Sequence, residues 1–273
     1  MEPALSHGKG LGRRILGGAG ALSLAPYRAD ATATIPVVAH RLSDGGRLIV
    51  VCPAADAAFF GDAEVRIDGV KKAPELSADI TVAGLHALGA VRWLPVGDAG
   101  TESGVGSGAD VSDLEFPAGS AEPYVMGVVQ LEKVLVHGPC GVVKLPVDEL
   151  RPVHRETELA ARELDARDLV GRLSPEQLGQ LLSDALVGFI PGFRCSEFEM
   201  DASAALHACE AMGGGVWVSD IDTHGLMLST LYGNRLTSVF VYFPEPIRGF
   251  SDLAGAVSAL SDRTSARHAS PRI

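Results

Sequence analysis

The chain has 273 residues and a formal net charge of −11, with 47% hydrophobic and 21% charged residues. This balance is typical of a folded domain with a substantial core and excludes an intrinsically disordered chain. Because nucleic-acid backbones are bound by clustered lysines and arginines, the acidic charge argues against a nucleic-acid partner. No apolar run reaches the roughly 20 residues that a membrane-spanning helix needs, so we expect no membrane partner either.

The first 26 residues carry Arg13 and Arg14 beside small apolar residues that alternate with glycine. A secretory signal needs a continuous apolar core, which the glycines interrupt. We therefore interpret this segment as an amphipathic opening helix and expect a cytoplasmic protein.

Residues 31–96 have the alternating pattern of strands, and Asp44-Gly45-Gly46 predicts a hairpin turn between two of them. Residues 97–121 are rich in glycine, serine and aspartate, which predicts a flexible insertion. The strand pattern resumes at Tyr124 and turns at His137-Gly138-Pro139. Six or so strands joined by short turns without intervening helices favour a small antiparallel barrel.

After Pro152 the pattern becomes helical. One helical segment covers residues 155–173, supported by two oppositely charged pairs four residues apart: Glu158 with Arg162, and Glu163 with Arg167. A second helix should begin at the capping box of Ser174 and Gln177. A third is expected over residues 196–212, where acidic residues at its start would complement the helix dipole. Three strands and a short final helix capped by Ser251 complete the chain.

The four cysteines are Cys52, Cys140, Cys195 and Cys209. None of them forms a Cys-x-x-Cys pair, so a structural zinc or iron–sulfur site has little support. We predict buried free thiols in a reducing compartment.

Two stretches of the chain resemble one known family. The opening helix followed by the hairpin PVVAHRL…DGGRLIVV and further strands is similar to the split β-barrel proteins related to pyridoxamine-phosphate oxidase and flavin reductases. Towards the C-terminus, the chain has an Asp-x-x-Gly turn, an alternating strand and a Phe-Pro-x-Pro motif. This pattern resembles the domain appended to the barrel in haem-utilisation proteins of the HugZ kind and in the glutamyl-tRNA-reductase-binding protein. The residues that carry it are Asp222, Gly225, Phe243, Pro244 and Pro246.

The resemblance implies an α+β fold, in which an antiparallel split β-barrel is followed by a smaller α+β domain. We place the barrel at residues 1–153, with the insertion at 97–121, and the second domain at 154–273. It also implies a homodimer that associates through the barrel face.

The chain departs from the family at two sites. The family motif His-Met-Asn-x-Asp-His falls on residues 199–204, where Glu199 and Ala204 stand in place of the two histidines.

Flavin-binding members hold the FMN phosphate with basic and hydroxyl side chains after the second strand. Residues 48–65 contain no basic residue and three carboxylates, so the sequence argues against FMN, and the resemblance to the haem-utilisation proteins implies haem as the cofactor. The carboxylates are Asp56, Asp62 and Glu64.

A haem site needs an axial ligand, most often an imidazole, and cations for the propionates. His268, between Arg267 and Arg272 in the C-terminal tail, is one candidate ligand for the iron, and His207 is the other. Arg267, Arg41 and His40 are the candidate cofactor-binding residues. A polar tail, a surface histidine and an exposed strand pair are the non-functional alternatives for these positions.

Two functions remain open at this point. The first is haem binding or utilisation, with oxygen-dependent opening of the ring as a further step. The second is a non-catalytic regulatory protein that binds a protein partner and has lost the flavin and haem sites. No pairing of a nucleophile with a base stands out, so the sequence leaves enzymatic activity open.

Overall fold

The computed structural model describes residues 2–30, 32–74, 80–94, 123–199 and 215–268. These residues form a mixed α+β fold with a nearly closed antiparallel barrel, a second sheet of four strands and several helices. The predicted α+β fold class is confirmed, and so is the antiparallel barrel that the family resemblance implied.

Eight strands form the barrel sheet: β1 (Ala21–Ala25), β2 (Ile35–Val37), β3 (Ala39–Leu42), β4 (Leu48–Pro53), β5 (Ala63–Lys72), β6 (Thr81–Trp93), β7 (Tyr124–Gly138) and β8 (Gly141–Leu145). They are ordered β2-β1-β5-β6-β7-β4-β3, and β8 pairs with β7. The chain passes from β2 to β3 at Val38, whose N–H donates to the carbonyl of Val51 in β4 at 2.9 Å. This bond joins the two ends of the sheet and nearly closes the barrel.

Alternation along β5 and β6 directs every second side chain into the barrel. Aliphatic side chains therefore fill its interior, among them Val65, Ile67 and Leu85, each fully buried. The predicted hairpin between β3 and β4 is confirmed, because Ser43 and Arg47 pair across the turn and Gly46 has φ +75°.

The expectation that no helix interrupts the barrel strands is wrong. A short helix, α2 (Ala54–Phe60), follows β4 directly. Its sequence AADAAFF follows Pro53, and alanine has the highest helix propensity. The alternation that identified the neighbouring strands is absent from this segment.

The predicted opening helix is confirmed as α1 (Glu2–Arg14), which continues into a wider helical turn at Ile15–Ala19. Leu11 and Ile15 are fully buried in the barrel core. At Gly12, an added Cβ would lie 2.3 Å from the Leu145 side chain, so glycine is needed for α1 to approach β8 this closely.

The C-terminal part combines helices α3 (His154–Ala161), α4 (Glu163–Val170), α5 (Pro175–Leu186) and α6 (Leu253–His268) with strands β9 (Gly192–Glu199), β10 (Val216–Asp222), β11 (Gly225–Tyr232) and β12 (Arg235–Tyr242). The second sheet is ordered β10-β11-β12-β9. Its core includes the buried side chains of Leu228, Val239 and Leu260. The three predicted strands are confirmed, as is the capping box of Ser174 and Gln177.

The prediction of a helix beginning at residue 196 is wrong, because residues up to Glu199 belong to strand β9. Glu197 lies in register with Thr237 of β12 and accepts a hydrogen bond from Arg235 at 2.9 Å. The alternation Glu-Phe-Glu fits the period of a strand, and the cross-strand ion pair stabilises it. Residues 200–214, which include the remainder of the predicted helix, lie outside the described residues.

The helical segment predicted over residues 155–173 forms two helices, which are separated at Arg162. Arg162 pairs with Asp165 rather than with Glu158, and its guanidinium carbon lies 3.6 Å from the centroid of the Phe250 ring. Glu163 instead reaches Lys71 of the barrel. Tertiary contacts thus replace the local pairs expected from spacing.

The prediction of free thiols is wrong for Cys140 and Cys195, which form a disulfide between the β7–β8 turn and β9. Their sequence separation of 55 residues gave no local signal. Cys52 is a buried free thiol, as predicted. In the described part of the chain, no helix is long and apolar enough to cross a bilayer.

Candidate functional site

A cleft of about 340 Å³ lies where the barrel, α1 and α3 meet. Arg41 of β3 and His154 at the start of α3 both line it, and we call it the Arg41–His154 cleft. Its wall includes the apolar side chains of Pro152 and Val153. The cleft thus combines an imidazole and a guanidinium with an apolar surface.

The cleft is lined by three arginines against two carboxylates, in a chain whose overall charge is strongly negative. Acidic residues hold Arg13 and Arg14 in place. Arg13 makes a bidentate contact with Glu156 at 2.7 Å, and Arg14 is bound to aspartates behind the cleft. These pairs fix the wall, while Arg41 contributes a further positive charge to the cleft.

His40, the neighbour of Arg41, points to the opposite face of β3 because side chains alternate along a strand. It is 8% exposed, and its Nε2 lies 2.8 Å from the carbonyl oxygen of Ile15. Since a carbonyl only accepts, Nε2 is the donor. Burial lowers the pKa of His40, and the bond to Ile15 opposes this effect only in part. His40 therefore lies behind the cleft as a neutral imidazole that holds the turn after α1.

A buried cluster of charged residues joins the two parts of the protein next to the cleft. The guanidinium of Arg14 donates to Asp220 of β10 at 2.9 and 2.7 Å and to the carbonyl of Ile221 at 2.8 Å. Burial alone would lower the pKa of Arg14, but the charge and hydrogen bonds of Asp220, together with the charges of Asp222 and Glu163, outweigh it and the pKa is raised. The same pairing overcomes the effect of burial on Asp220 and lowers its pKa. Both groups are therefore charged at neutral pH.

Asp222 is the second carboxylate of this cluster. It receives the backbone N–H of His224 at 3.0 Å, and Nδ1 of His7 lies 3.5 Å away. Burial would raise the pKa of Asp222, but the side chains of His224 and His7 and the charge of Arg14 hold it well below its usual range. His224 thus lies at the β10–β11 turn.

Lys71 of β5 completes the cluster, with its side chain fully buried. Its ammonium contacts Glu163 of α4 and lies 3.7 Å from Asp220. We call Arg14, Lys71, Asp220, Asp222, Glu163 and His7 the Arg14–Asp220 charge cluster. Because each ion pair links α1 or the barrel to the C-terminal part, the cluster determines how the walls of the cleft face each other.

The residues predicted from the sequence as a haem site therefore do not all lie at the cleft. Arg41 lines the cleft, His40 lies behind it, and the backbone of Arg267 and His268 forms the end of α6. The side chains of Arg267 and His268, and all of His207, lie outside the described residues. His154 was not singled out from the sequence, because an exposed histidine at a helix start carries no local signal of its own.

The residues of the cleft can be compared with what haem requires. An imidazole suits the iron, a guanidinium suits a propionate, and apolar side chains suit the ring face. The volume lies at the lower end of the range for ligand sites, so a macrocycle would be held along one edge rather than enclosed. Within the described ranges, no group of three or more histidines, cysteines or carboxylates is arranged to hold a bare metal ion.

Comparisons with known proteins give a limited result. No family model matches the chain, and no curated protein matches it. Among solved structures, it is similar to a haem-binding protein from Mycobacterium smegmatis, with 14% identity, a TM-score of 0.44, and coverage of 94% of this chain and 98% of that one. It is also similar to a protein of unknown function from Agrobacterium tumefaciens, with 15% identity, a TM-score of 0.30, and coverage of 91% and 92%.

Proposed function

We propose that this protein binds haem at the Arg41–His154 cleft. The observation that supports this most directly is the convergence of the His154 imidazole, the Arg41 guanidinium and the apolar side chains of Pro152 and Val153 on a single cleft. This combination suits haem, for which Arg41 is also the propionate partner expected from the sequence. The family resemblance supports the same choice of cofactor.

In this proposal each residue has a definite role. His154 offers a ring nitrogen to the iron, and Arg41 forms charge-assisted hydrogen bonds with a propionate. Pro152 and Val153 would cover part of the ring face. Bound haem would supply the iron chemistry, while the protein supplies binding and orientation. His207, His268 and Arg267 remain proposals from the sequence for a ligand and a propionate partner.

The experiment is a hemin titration followed by the Soret band. We expect saturable binding to the wild type, a changed Soret band in His154→Ala, and about 10- to 100-fold weaker binding in Arg41→Ala, the range for a hydrogen bond to a charged group. His86→Ala is the matched control, because His86 is also exposed but lies on β6, paired with Asp68. Adding reductant and oxygen to the loaded protein tests ring opening by loss of the Soret band.

Variants His207→Ala and His268→Ala complete the series. If one of these alone changes the Soret band, the iron ligand comes from the C-terminal part and the assignment of His154 is wrong. If the wild type and all variants bind hemin equally and without saturation, the protein has no specific haem site.

The second candidate, a partner-binding protein without a cofactor, is favoured by the Arg14–Asp220 charge cluster. Arg14 and Lys71 have acidic partners within the protein, so the arrangement of the two parts needs no cofactor charge. A ligand that binds only the folded state raises the melting temperature. This second function therefore predicts that hemin leaves the melting temperature unchanged, whereas haem binding predicts an increase.

A further inference from the structure

A second pocket, of about 440 Å³, lies between the barrel and the C-terminal sheet, away from Arg41 and His154. We call it the serine pocket, because four of its lining residues are serines, one from each strand of the second sheet: Ser196, Ser219, Ser229 and Ser238. Its opposite wall comes from the start of β6 and from the β7–β8 turn. The volume is within the range of small-molecule sites.

The serines form a continuous row across the sheet. Ser238 lies in register with Ser229 on one side and with Ser196 on the other. The hydroxyl of Ser229 donates to Ser219 at 2.9 Å, and that of Ser219 donates to the carbonyl of Met227 at 3.2 Å. Each hydroxyl has one proton, so Ser238 is the donor in its 3.0 Å contact with Ser229. The protons of these three hydroxyls are all in use.

Two donors among the pocket residues have no such partner in the described part of the chain. The indole Nε1 of Trp217 and the hydroxyl of Ser196 are both buried without a hydrogen-bonding group among the described residues in reach. Trp217 is only 7% exposed. By contrast, the indole Nε1 of Trp93 donates to the carbonyl of Gly61 at 2.8 Å. Because an unpaired buried donor is costly, the arrangement at Trp217 and Ser196 indicates a group that supplies acceptors.

The rest of the lining indicates what carries those acceptors. Apolar side chains of Ile80, Val82 and Leu236 and the cystine of Cys140 and Cys195 face the pocket. Among the described residues that line it, none is an aspartate, glutamate, lysine or arginine. Apart from His137, no lining side chain could serve as a counter-ion, so a charged ligand would lose its hydration here with little compensation. The chemistry therefore favours an uncharged molecule.

We infer that the serine pocket is a binding site for a neutral, largely apolar small molecule that carries a carbonyl oxygen, which accepts hydrogen bonds from Trp217 and Ser196. This site differs from the proposed haem cleft, which is lined by arginines. The two sites share no lining residue, so an experiment that disproves binding at one of them leaves binding at the other untouched. The disulfide holds the β7–β8 turn against β9 and thereby maintains one wall of the pocket.

The test uses two probes of matched shape, acetonaphthone and ethylnaphthalene, which differ chiefly in the carbonyl oxygen. Binding is measured by calorimetry on the full-length oxidised protein. We expect acetonaphthone to bind more tightly than ethylnaphthalene. Trp217→Phe and Ser196→Ala should each weaken acetonaphthone about three- to tenfold, the usual effect of one lost hydrogen bond, and leave ethylnaphthalene nearly unchanged. Two variants are used so that a folding defect in one leaves the other informative.

Trp93→Phe is the control, since it removes an indole that already has a partner outside this pocket. It should leave both probes unaffected. The double variant Cys140→Ser/Cys195→Ser should weaken both probes if the bridge maintains the wall. The inference is overturned if acetonaphthone does not bind, if the two probes bind equally, or if neither Trp217→Phe nor Ser196→Ala distinguishes them. In those cases the pocket holds water or nonspecific apolar compounds only.

Discussion

Arg14 in the first helix and Asp220 in β10 form a bidentate ion pair across 206 residues of chain, and both side chains are almost completely buried. This contact fixes α1 against the C-terminal sheet. The Arg41–His154 cleft and the serine pocket both depend on that arrangement, because each takes its walls from both parts of the protein.

Removing one partner of this pair should be strongly destabilising. Arg14→Met leaves the carboxylate of Asp220 buried without its main counter-ion, so we expect a loss of about 3–5 kcal/mol in the free energy of unfolding. Urea denaturation measures it. Arg66→Met is the control, because the Arg66–Asp68 pair lies at the surface and such pairs contribute about 1 kcal/mol or less. Equal losses in the two variants would show that the buried pair has no special role.

The lowered pKa values of Asp220 and Asp222 predict acid sensitivity. A carboxyl group with a depressed folded-state pKa stabilises the protein above its unfolded pKa of about 3.9, and this contribution is lost as the pH falls through the folded value. We expect the melting temperature to fall steeply below about pH 4. Asp222→Asn should be less stable at neutral pH and should show a shallower acid dependence. A variant with the same acid profile as the wild type would contradict the assignment.

His40 predicts a second pH effect, in a higher range. Its depressed pKa means that the neutral form stabilises the folded protein above about pH 6.5, and that this contribution declines as the pH falls towards the folded value. Glutamine retains a donor for the Ile15 carbonyl but does not titrate. His40→Gln should therefore lose less stability than the wild type between pH 7 and pH 5. Identical slopes in the wild type and His40→Gln would disprove the role of His40.

The disulfide and the buried thiol can be distinguished chemically. Peptide mapping without reduction should recover Cys140 and Cys195 as one linked pair, and Cys140→Ser/Cys195→Ser should lose about 2–4 kcal/mol of stability because the bridge closes a long loop.

Burial raises the pKa of Cys52 to about 12, so this thiol should resist alkylation in the folded protein and react after unfolding. Rapid alkylation of Cys52 under native conditions would contradict its burial.

Local patterns in the sequence predicted much of the fold. The alternation in β5, the Asp44–Gly46 turn and the Ser174 capping box are each encoded within a few residues, and the structure contains all three. Strand β9 was misread because its acidic residues also suit a helix start, and only its pairing with β12 decides between the two.

The candidate site was harder to predict from the sequence, because its residues lie far apart along the chain. Arg41 was identified within the first hairpin, but His154 acquires significance only when folding brings both to one cleft. In the sequence, Asp220 and Lys71 likewise look like ordinary strand residues. Only their burial in the structure shows that each needs a charged partner. Long-range pairing of this kind leaves no signal in a local pattern.

The most direct test of haem binding at the cleft is chemical rescue of His154→Gly with free imidazole. If His154 is the iron ligand, hemin bound to this variant should show an altered Soret band, and added imidazole should restore the wild-type band by occupying the vacated space. His86→Gly should need no rescue. A Soret band in His154→Gly that matches the wild type before imidazole is added would contradict the proposal.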